Sequence, residues 1–308
     1  MEQPASIALE QVSKRYGSHQ VLHEVSLAVG RAECVALLGH NGAGKTTLMK
    51  LLLGLTRPCQ GRIRVNGRDP THLLGRGLGA GIGFLPENVM FHTAMTGREV
   101  LRFYARLKGV ALASCDGLLE EVGLAEAARR RVGTYSKGMR QRLGLAQALL
   151  GTPHVLLLDE PTTGLDPVLR ETFYARVRRH QQQGGCALLS SHALTEIEAR
   201  SDRVAILRQG RLVACGTLAE LRERAGLPVR IRVLTGAGEA VGVADRLGSG
   251  LQVDHINNQA LELSCPGIDK LDLVTRLAGL RPAVRDVEIH QPGLGEVYAY
   301  YSAEDGPQ

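Results

Sequence analysis

The sequence predicts an α/β fold: a mostly parallel β-sheet covered by helices on both faces, followed by a small α+β domain. Three observations carry this reading. The short apolar runs Cys34–Leu38, Val155–Leu158 and Cys186–Ser190 read as strands buried on both faces. Stretches of helical length alternate with them, as in a sheet whose strands are joined by helical crossovers. After about residue 224 the pattern changes to short strands and two helices in the order β-α-β-β-α-β.

In chain order, residues 7–15 and 19–29 read as a hairpin turning at Gly17-Ser18, an antiparallel β subdomain. Cys34–Leu38 runs into a glycine-rich loop, and Lys45–Leu55 reads as the helix after it. Thr96-Gly97-Arg98-Glu99 has the spacing of a capping box and opens a helix to about Lys108. Helices are expected near 116–122 and 138–150, so residues 88–150 form a helical insert. Val155–Leu158 returns to the sheet, followed by a helix over Val168–Gln183, the strand Cys186–Ser190 and a helix over Leu194–Arg200. Gly226-Leu227-Pro228 reads as a linker between a domain of residues 1–224 and an accessory domain of residues 225–308. In the latter, the strands Val229–Leu234, Leu251–Ile256, Ala260–Ser264 and Val284–His290, with helices over Gly242–Leu247 and Ile268–Leu280, fit a ferredoxin-like domain. The stretch Gly75–Gly83 contains a G-x-G-x-x-A but follows no clear strand and opens no helix. It reads as a loop, not a dinucleotide site.

Composition narrows the class. With 308 residues, 44% of them apolar, the chain can bury a core in one large and one small domain. No apolar run approaches the roughly 20 residues of a membrane-spanning helix. Met1-Glu2-Gln3-Pro4 lacks the basic flank and apolar core of a secretory signal, so a cytosolic chain is expected. None of the cysteines (34, 59, 115, 186, 215 and 265) forms a C-x-x-C pair, which suggests neither a disulfide framework nor a zinc or copper site. The net charge is +6; the run Arg129-Arg130-Arg131 reads first as a solvated face and second as a contact for anionic lipid or nucleotide.

The chemistry sits in two segments. Gly39-His40-Asn41-Gly42-Ala43-Gly44-Lys45-Thr46, followed by Thr47, matches G-x-x-x-x-G-K-[ST] between a strand and a helix. Its glycines let backbone N–H groups turn towards phosphates, and the helix N-terminus adds about half a positive charge. Lys45 can reach the terminal phosphates, and the Thr46 hydroxyl can ligate Mg2+. The strand Val155–Leu158 delivers Asp159 and Glu160 to the sheet's C-terminal edge. There Asp159 can hold Mg2+ directly or through water. Glu160, pointing the other way by strand alternation, can orient and deprotonate the attacking water.

Tyr135-Ser136-Lys137-Gly138-Met139-Arg140-Gln141-Arg142 lies shortly before that strand and resembles the signature motif of the ATP-binding cassette (ABC) ATPases. Pro161-Thr162-Thr163-Gly164-Leu165-Asp166 looks like the family's D-loop, and Ser191-His192 like its switch histidine. Tyr16 stands where the family stacks a ring on adenine. These motifs cover about residues 7–215. The resemblance implies a P-loop NTPase fold and a head-to-tail homodimer with ATP and Mg2+. In that dimer ATP lies between one copy's phosphate loop and the partner's Ser136 and Gly138, with Lys137 and Asp166 at the interface. Asp166 can also simply cap the helix that begins near Pro167. It further implies His192 at the γ-phosphate, an integral membrane permease docked on the helical insert at Asn88–Arg98, and a peripheral place on the cytoplasmic side of the inner membrane.

Two positions depart from the family pattern. Glu87 stands where Gln is usual, keeping an acceptor for Mg2+ or water but losing the amide donor. Lys137 and Met139 replace the more common Gly and Gln. A non-transport ABC ATPase acting on ribosomes or DNA is disfavoured by the single cassette and the lack of a long heptad stretch, so no nucleic-acid partner is expected. The accessory domain is either a regulator-binding module or a brace between subunits.

A narrower resemblance is to the NosF-type ATPases, which serve maturation of the copper enzyme nitrous oxide reductase. It rests on Leu85-Pro86-Glu87-Asn88-Val89, Gly97-Arg98-Glu99, Arg106-Leu107-Lys108-Gly109, Thr134–Leu143, Gly226–Arg232 and Val287–Pro292. It implies a NosY-like membrane partner, a NosD-like periplasmic partner, and a role in delivering copper or sulfur species. Drug and sodium exporters share several of these strings.

Overall fold

The computed structural model describes residues 5–73, 81–248 and 251–303. Residues 75–80 of the glycine-rich stretch expected to be a loop lie outside them, and its last two residues, Ile82 and Gly83, belong to a strand instead. The chain divides into two compact units, one up to Cys215 and one from Gly216.

In the first unit, β1 (Ile7–Tyr16) and β2 (His19–Val29) form the expected hairpin. They are followed by β3 (Cys34–Leu38), α1 (Lys45–Leu52), β4 (Gln60–Val65) and β5 (Ile82–Leu85). The helical insert contains α2 (Gly97–Lys108), α3 (Ser114–Glu121) and α4 (Lys137–Leu149). Then come β6 (Val155–Asp159), α5 (Pro167–Gln182), β7 (Cys186–Ser190), α6 (Leu194–Glu198), β8 (Arg203–Arg208) and β9 (Arg211–Gly216).

One sheet has the order β2-β1-β4, all antiparallel. The other has the order β5-β6-β7-β3-β8-β9, with parallel pairing from β5 through β8. Strands β3 and β7 are buried at every position, which is why they read as unbroken apolar runs. A core of Ile7, Val29, Leu37, Leu51, Leu157 and Leu188 joins residues of both sheets and α1.

Local chemistry sets the helix ends. Thr96 and Glu99 close a full capping box on α2, and Gly109 ends it at φ 67°. The helix expected over Lys45–Leu55 stops at Leu52, because Gly54 takes φ 71° with its Cα packed under Pro70. The helix expected to reach Arg200 ends at Glu198.

The second unit holds α7 (Leu218–Arg224), β10 (Val229–Thr235), α8 (Ala240–Leu247), β11 (Gln252–Asn257), β12 (Ala260–Cys265), α9 (Lys270–Ala278), β13 (Val284–His290) and α10 (Leu294–Ser302). Its antiparallel sheet runs β11-β12-β10-β13, the ferredoxin-like order. Inward residues alternate along β10 (Val229, Ile231, Val233) and pack with Leu261, Leu263, Leu273 and Leu277. The division at Cys215 falls before α7, ahead of the Gly226–Pro228 segment expected as the linker. Helix α7 groups with α10, where the Tyr301 hydroxyl donates to the Leu221 carbonyl at 3.3 Å.

Leu263 is fully buried in this second core. Leu263→Ala is expected to destabilise the second unit by about 2–5 kcal/mol. Urea denaturation followed by probes in each unit should show that unit's transition moving while the first unit's stays in place.

Candidate active site

The C-terminal ends of β3 and β6 and the segment after β7 open on one cleft of about 180 Å3. The loop after β3 lines it with His40, Asn41, Gly42, Gly44, Lys45, Thr46 and Thr47, and Val21 adds an apolar edge. Glu87, Asp159, Glu160 and His192 complete the wall. The volume is below the roughly 300–1,000 Å3 of pockets that enclose a whole ligand, and suits a phosphate cradle on an open surface.

The loop keeps its shape because glycine is required in it. Gly44 precedes α1 at φ 107°, where a β-carbon would also sit 2.6 Å from Leu22 Cδ2. A β-carbon on Gly39 would lie 2.5 Å from the Leu207 carbonyl oxygen of β8. Gly39 and Ala43 are buried beneath the loop rather than lining the cleft. With no side chain on Gly44 to cap α1, the first N–H groups of that helix are left for an anion. Lys45 is buried, and its Nζ donates to the Gly39 carbonyl and, at 3.3 Å, to that of His40. Burial pushes the Lys45 ammonium below its usual pKa, while Glu160, Asp159 and Glu87 push it back up.

The acidic pair is held by Ser190, the last residue of β7. Asp159 and Ser190 are register partners, and the Ser190 hydroxyl donates to Asp159 Oδ1 at 2.5 Å. The Glu160 N–H in turn donates to the Ser190 carbonyl (3.1 Å) and hydroxyl (3.2 Å). Strand alternation would send the two carboxylates apart, yet both line the cleft. Glu160 leaves the strand with φ 46°, a left-handed conformation uncommon for a non-glycine residue, and this swings its side chain round. Its Oε2 accepts from the His192 N–H at 3.3 Å, and its Oε1 lies 3.1 Å from His192 Nε2 without a hydrogen bond in good geometry. Glu160 is 8% exposed. Burial raises its pKa and Asp159 adds to the effect, against the opposing pull of His192 and Lys45.

The remaining expected residues lie outside the cleft. Ser136 is exposed and caps α4, accepting from the Met139 N–H at 3.2 Å. A β-carbon on Gly138 would touch Leu165 at 3.5 Å, and the Lys137 stem lies over Gly164, so the signature segment and the D-loop pack side by side. Asp166 caps α5, accepting from the Leu169 N–H at 2.9 Å. Tyr16 is 46% exposed, with the Lys14 ammonium 4.9 Å from its ring centre. Sequence reasoning passed over Ser190 and Gln141. The buried Gln141 side chain donates to the Pro161 carbonyl at 3.0 Å, tying α4 to the turn after the acidic pair.

A phosphate loop between a parallel strand and a helix, facing carboxylates at the end of a strand two places away in the sheet, defines a P-loop nucleotide-binding protein. Residues 22–163 match the family described as ABC transporter. Daunorubicin resistance ATP-binding protein DrrA3 of Streptomyces coeruleorubidus is 34% identical over 313 residues, covering 97% of this chain and 96% of its own. Nod factor export ATP-binding protein I of Burkholderia orbicola is 36% identical over 94% of this chain and 93% of its own. The uncharacterized ABC transporter ATP-binding protein YxlF of Bacillus subtilis is 42% identical over 71% and 73%. A solved ATP-binding subunit of an ABC transporter superposes with a TM-score of 0.68 at 33% identity, over 72% of this chain and 93% of that one. The chain belongs to the ABC transporter ATP-binding family: it is a transport ATPase subunit, of the kind that dimerises and pairs with a membrane permease. Among the described residues, no helix is long and apolar enough to cross a membrane.

The raised Glu160 pKa has a consequence for stability. Its contribution is present below the unfolded value of 4.5 and lost as pH rises through the higher folded value, so the ionised form costs stability. Glu160→Gln is expected to raise the thermal midpoint at about pH 7, with the gain shrinking towards about pH 5. Melting curves at both values check this.

Proposed function

We propose that two copies of this chain clasp ATP head to tail, the phosphate loop of one facing Ser136 and Gly138 of the other, and that Glu160 is the general base. The observation that carries the reading is Glu160 itself. It is a buried carboxylate with a raised pKa and one oxygen lacking a hydrogen-bond partner, in the same cleft as Lys45 and the phosphate loop. Lys45 would exchange its loop carbonyls for the terminal phosphates. Glu160 would take a proton from water as the water oxygen attacks the γ-phosphorus and the bond to the bridging oxygen breaks. His192 would hold the γ-phosphate. Tyr16 would stack on adenine, and Lys137 and Asp166 would meet the partner copy.

The donor set fits Mg2+: the Thr46 hydroxyl and the Asp159 and Glu87 carboxylates are hard oxygen ligands in one cleft. Glu87, Asp159 and Glu160 face the single ammonium of Lys45, so a triphosphate entering there needs a cation to offset the repulsion. When bound, Mg2+ would neutralise charge on the phosphate oxygens.

On the insert, residues 88–98 include Met90 at 88% exposure, a surface suited to a cytoplasmic helix of the permease. On this reading the chain works at the cytoplasmic face of the inner membrane. For the cargo we favour the NosF-type reading, with NosY-like and NosD-like partners and delivery of copper or sulfur species to nitrous oxide reductase. Its support is the set of strings from Leu85–Val89 to Val287–Pro292, which extends through the second unit. A drug or Nod-factor exporter is the second reading, favoured by the full-length similarity to proteins named for those activities. The second unit is read as a brace between subunits ahead of a regulator-binding module.

Glu160→Gln is expected to lower ATP turnover by about 10²–10⁴-fold while ATP still drives the chain to dimeric mass in gel filtration. A variant that stays monomeric with ATP overturns the clasp. For the cargo, a strain lacking the chain should make nitrous oxide reductase without its copper while keeping wild-type drug sensitivity. The opposite pattern favours the exporter.

A further inference from the structure

A polar cluster joins α5, α6 and the turn after β6, and none of its hydrogen bonds among the described residues reaches the phosphate loop. Its centre is Glu196 on α6, four residues after His192. Glu196 Oε2 accepts from the Thr162 hydroxyl at 3.2 Å and the Tyr174 hydroxyl at 3.3 Å, and its Oε1 lies 2.5 Å from Arg170 Nη1. Arg170, on α5, also donates from Nε to the Leu165 carbonyl at 2.9 Å. Thr162 and Tyr174 are buried, and the Glu196 side chain is 19% exposed.

The positions of these partners along the chain give the cluster its meaning. Thr162 is two residues after Glu160, and Leu165 immediately precedes Asp166. The contacts therefore close a ring: Glu160 to Thr162 along the chain, Thr162 to Glu196 by hydrogen bond, Glu196 back to His192 along the chain, and His192 to Glu160 across the cleft. Arg170 fastens this ring to the end of the D-loop, where Asp166 caps α5. Glu160 holds an uncommon backbone conformation, so something must over-determine its turn. The Glu196 carboxylate ties two elements together here through one short charge-assisted contact, from Arg170 at 2.5 Å, and two longer hydroxyl contacts. The Arg170 side chain is 40% exposed, so the pair adds little to the stability of the fold alone.

We propose that Glu196 and Arg170 are positioning residues: their ion pair keeps the Glu160–His192 pair in register with Asp166, so that closure of the partner copy on the D-loop is felt at the attacking water. This rests on the roles proposed above for Glu160, His192 and Asp166. Neither Glu196 nor Arg170 touches the nucleotide. Losing the pair leaves ATP binding in place and lets the base drift from its working geometry.

The test uses the full-length chain with Glu196→Gln, Arg170→Met and the double variant, beside Glu160→Gln as control. Glu196→Gln should lower kcat by about tenfold or more, with KM for ATP within about twofold of wild type and with thermal midpoint and ATP-driven dimerisation retained. The double variant should be no slower than the slower single variant, as for residues acting as one unit. The proposal is overturned if Glu196→Gln keeps kcat within about twofold of wild type. It is equally overturned if the loss tracks a fall in melting temperature and dimerisation, or if the two single effects simply multiply. A Glu160→Gln chain that still turns over ATP at the wild-type rate would instead remove Glu160 as base, a separate failure from that of the ion pair.

Discussion

The parallel register of β6, β7 and β3 is the constraint on which the site depends. Ser190 pairs with Asp159 on one side and with Leu37 on the other. One buried hydroxyl thereby sits between the carboxylates and the strand that launches the phosphate loop. A slip of one residue would exchange the side chains on the two buried faces of these strands and shift the acids relative to Lys45 in the same move. The burial that specifies the core thus also specifies the chemistry, with Leu156, Leu157 and Leu188 wholly enclosed a few residues from the cleft.

Burial also tunes the charges. Glu160 is made harder to ionise and Lys45 easier to neutralise, each by removal from water, while the two groups and Asp159 act on one another in the opposite or the same sense according to sign. The base proposed above gains from holding its proton more tightly than an ordinary surface carboxylate, and burial of the turn after β6, with Asp159 beside it, acts in that direction. The cost is a backbone residue at φ 46° and a buried charge.

Much of this was legible before the structure. Continuous apolar runs announce β3, β6 and β7 because strands buried on both faces tolerate little else. The G-x-x-x-x-G-K-[ST] loop, Asp159-Glu160 and His192 announce the lining of the cleft because phosphate chemistry restricts residue types at fixed spacing. Strands β4, β5, β8 and β9 escaped: Gln60–Val65 is mostly exposed and half polar, Ile82–Leu85 is only four residues long, Arg211–Gly216 is a partly buried edge strand, and Arg203–Arg208 has an apolar centre of only four residues between arginines. The end of α1 was misjudged because Leu51, Leu52, Leu53 and Leu55 keep an apolar pattern past Gly54, whose close approach to Pro70 is a tertiary matter. Ser190, Gln141 and Glu196 gave no separate signal, since each acts through a neighbour that only register or packing supplies. The direction of the Glu160 side chain was likewise beyond strand alternation, because the residue has already left the strand.

Ser136 stands in solvent at the head of its own helix and is not among the residues that line the 180 Å3 cleft. Under the clasp proposed above, a lone chain has an active centre with one wall missing. Where a second copy supplies that wall, the rate per molecule in dilute solution must climb with protein concentration. Tethering two copies beneath one permease raises their effective local concentration and removes this dependence. Membrane assembly would then itself switch hydrolysis on, sparing the cell idle consumption by unassembled subunits.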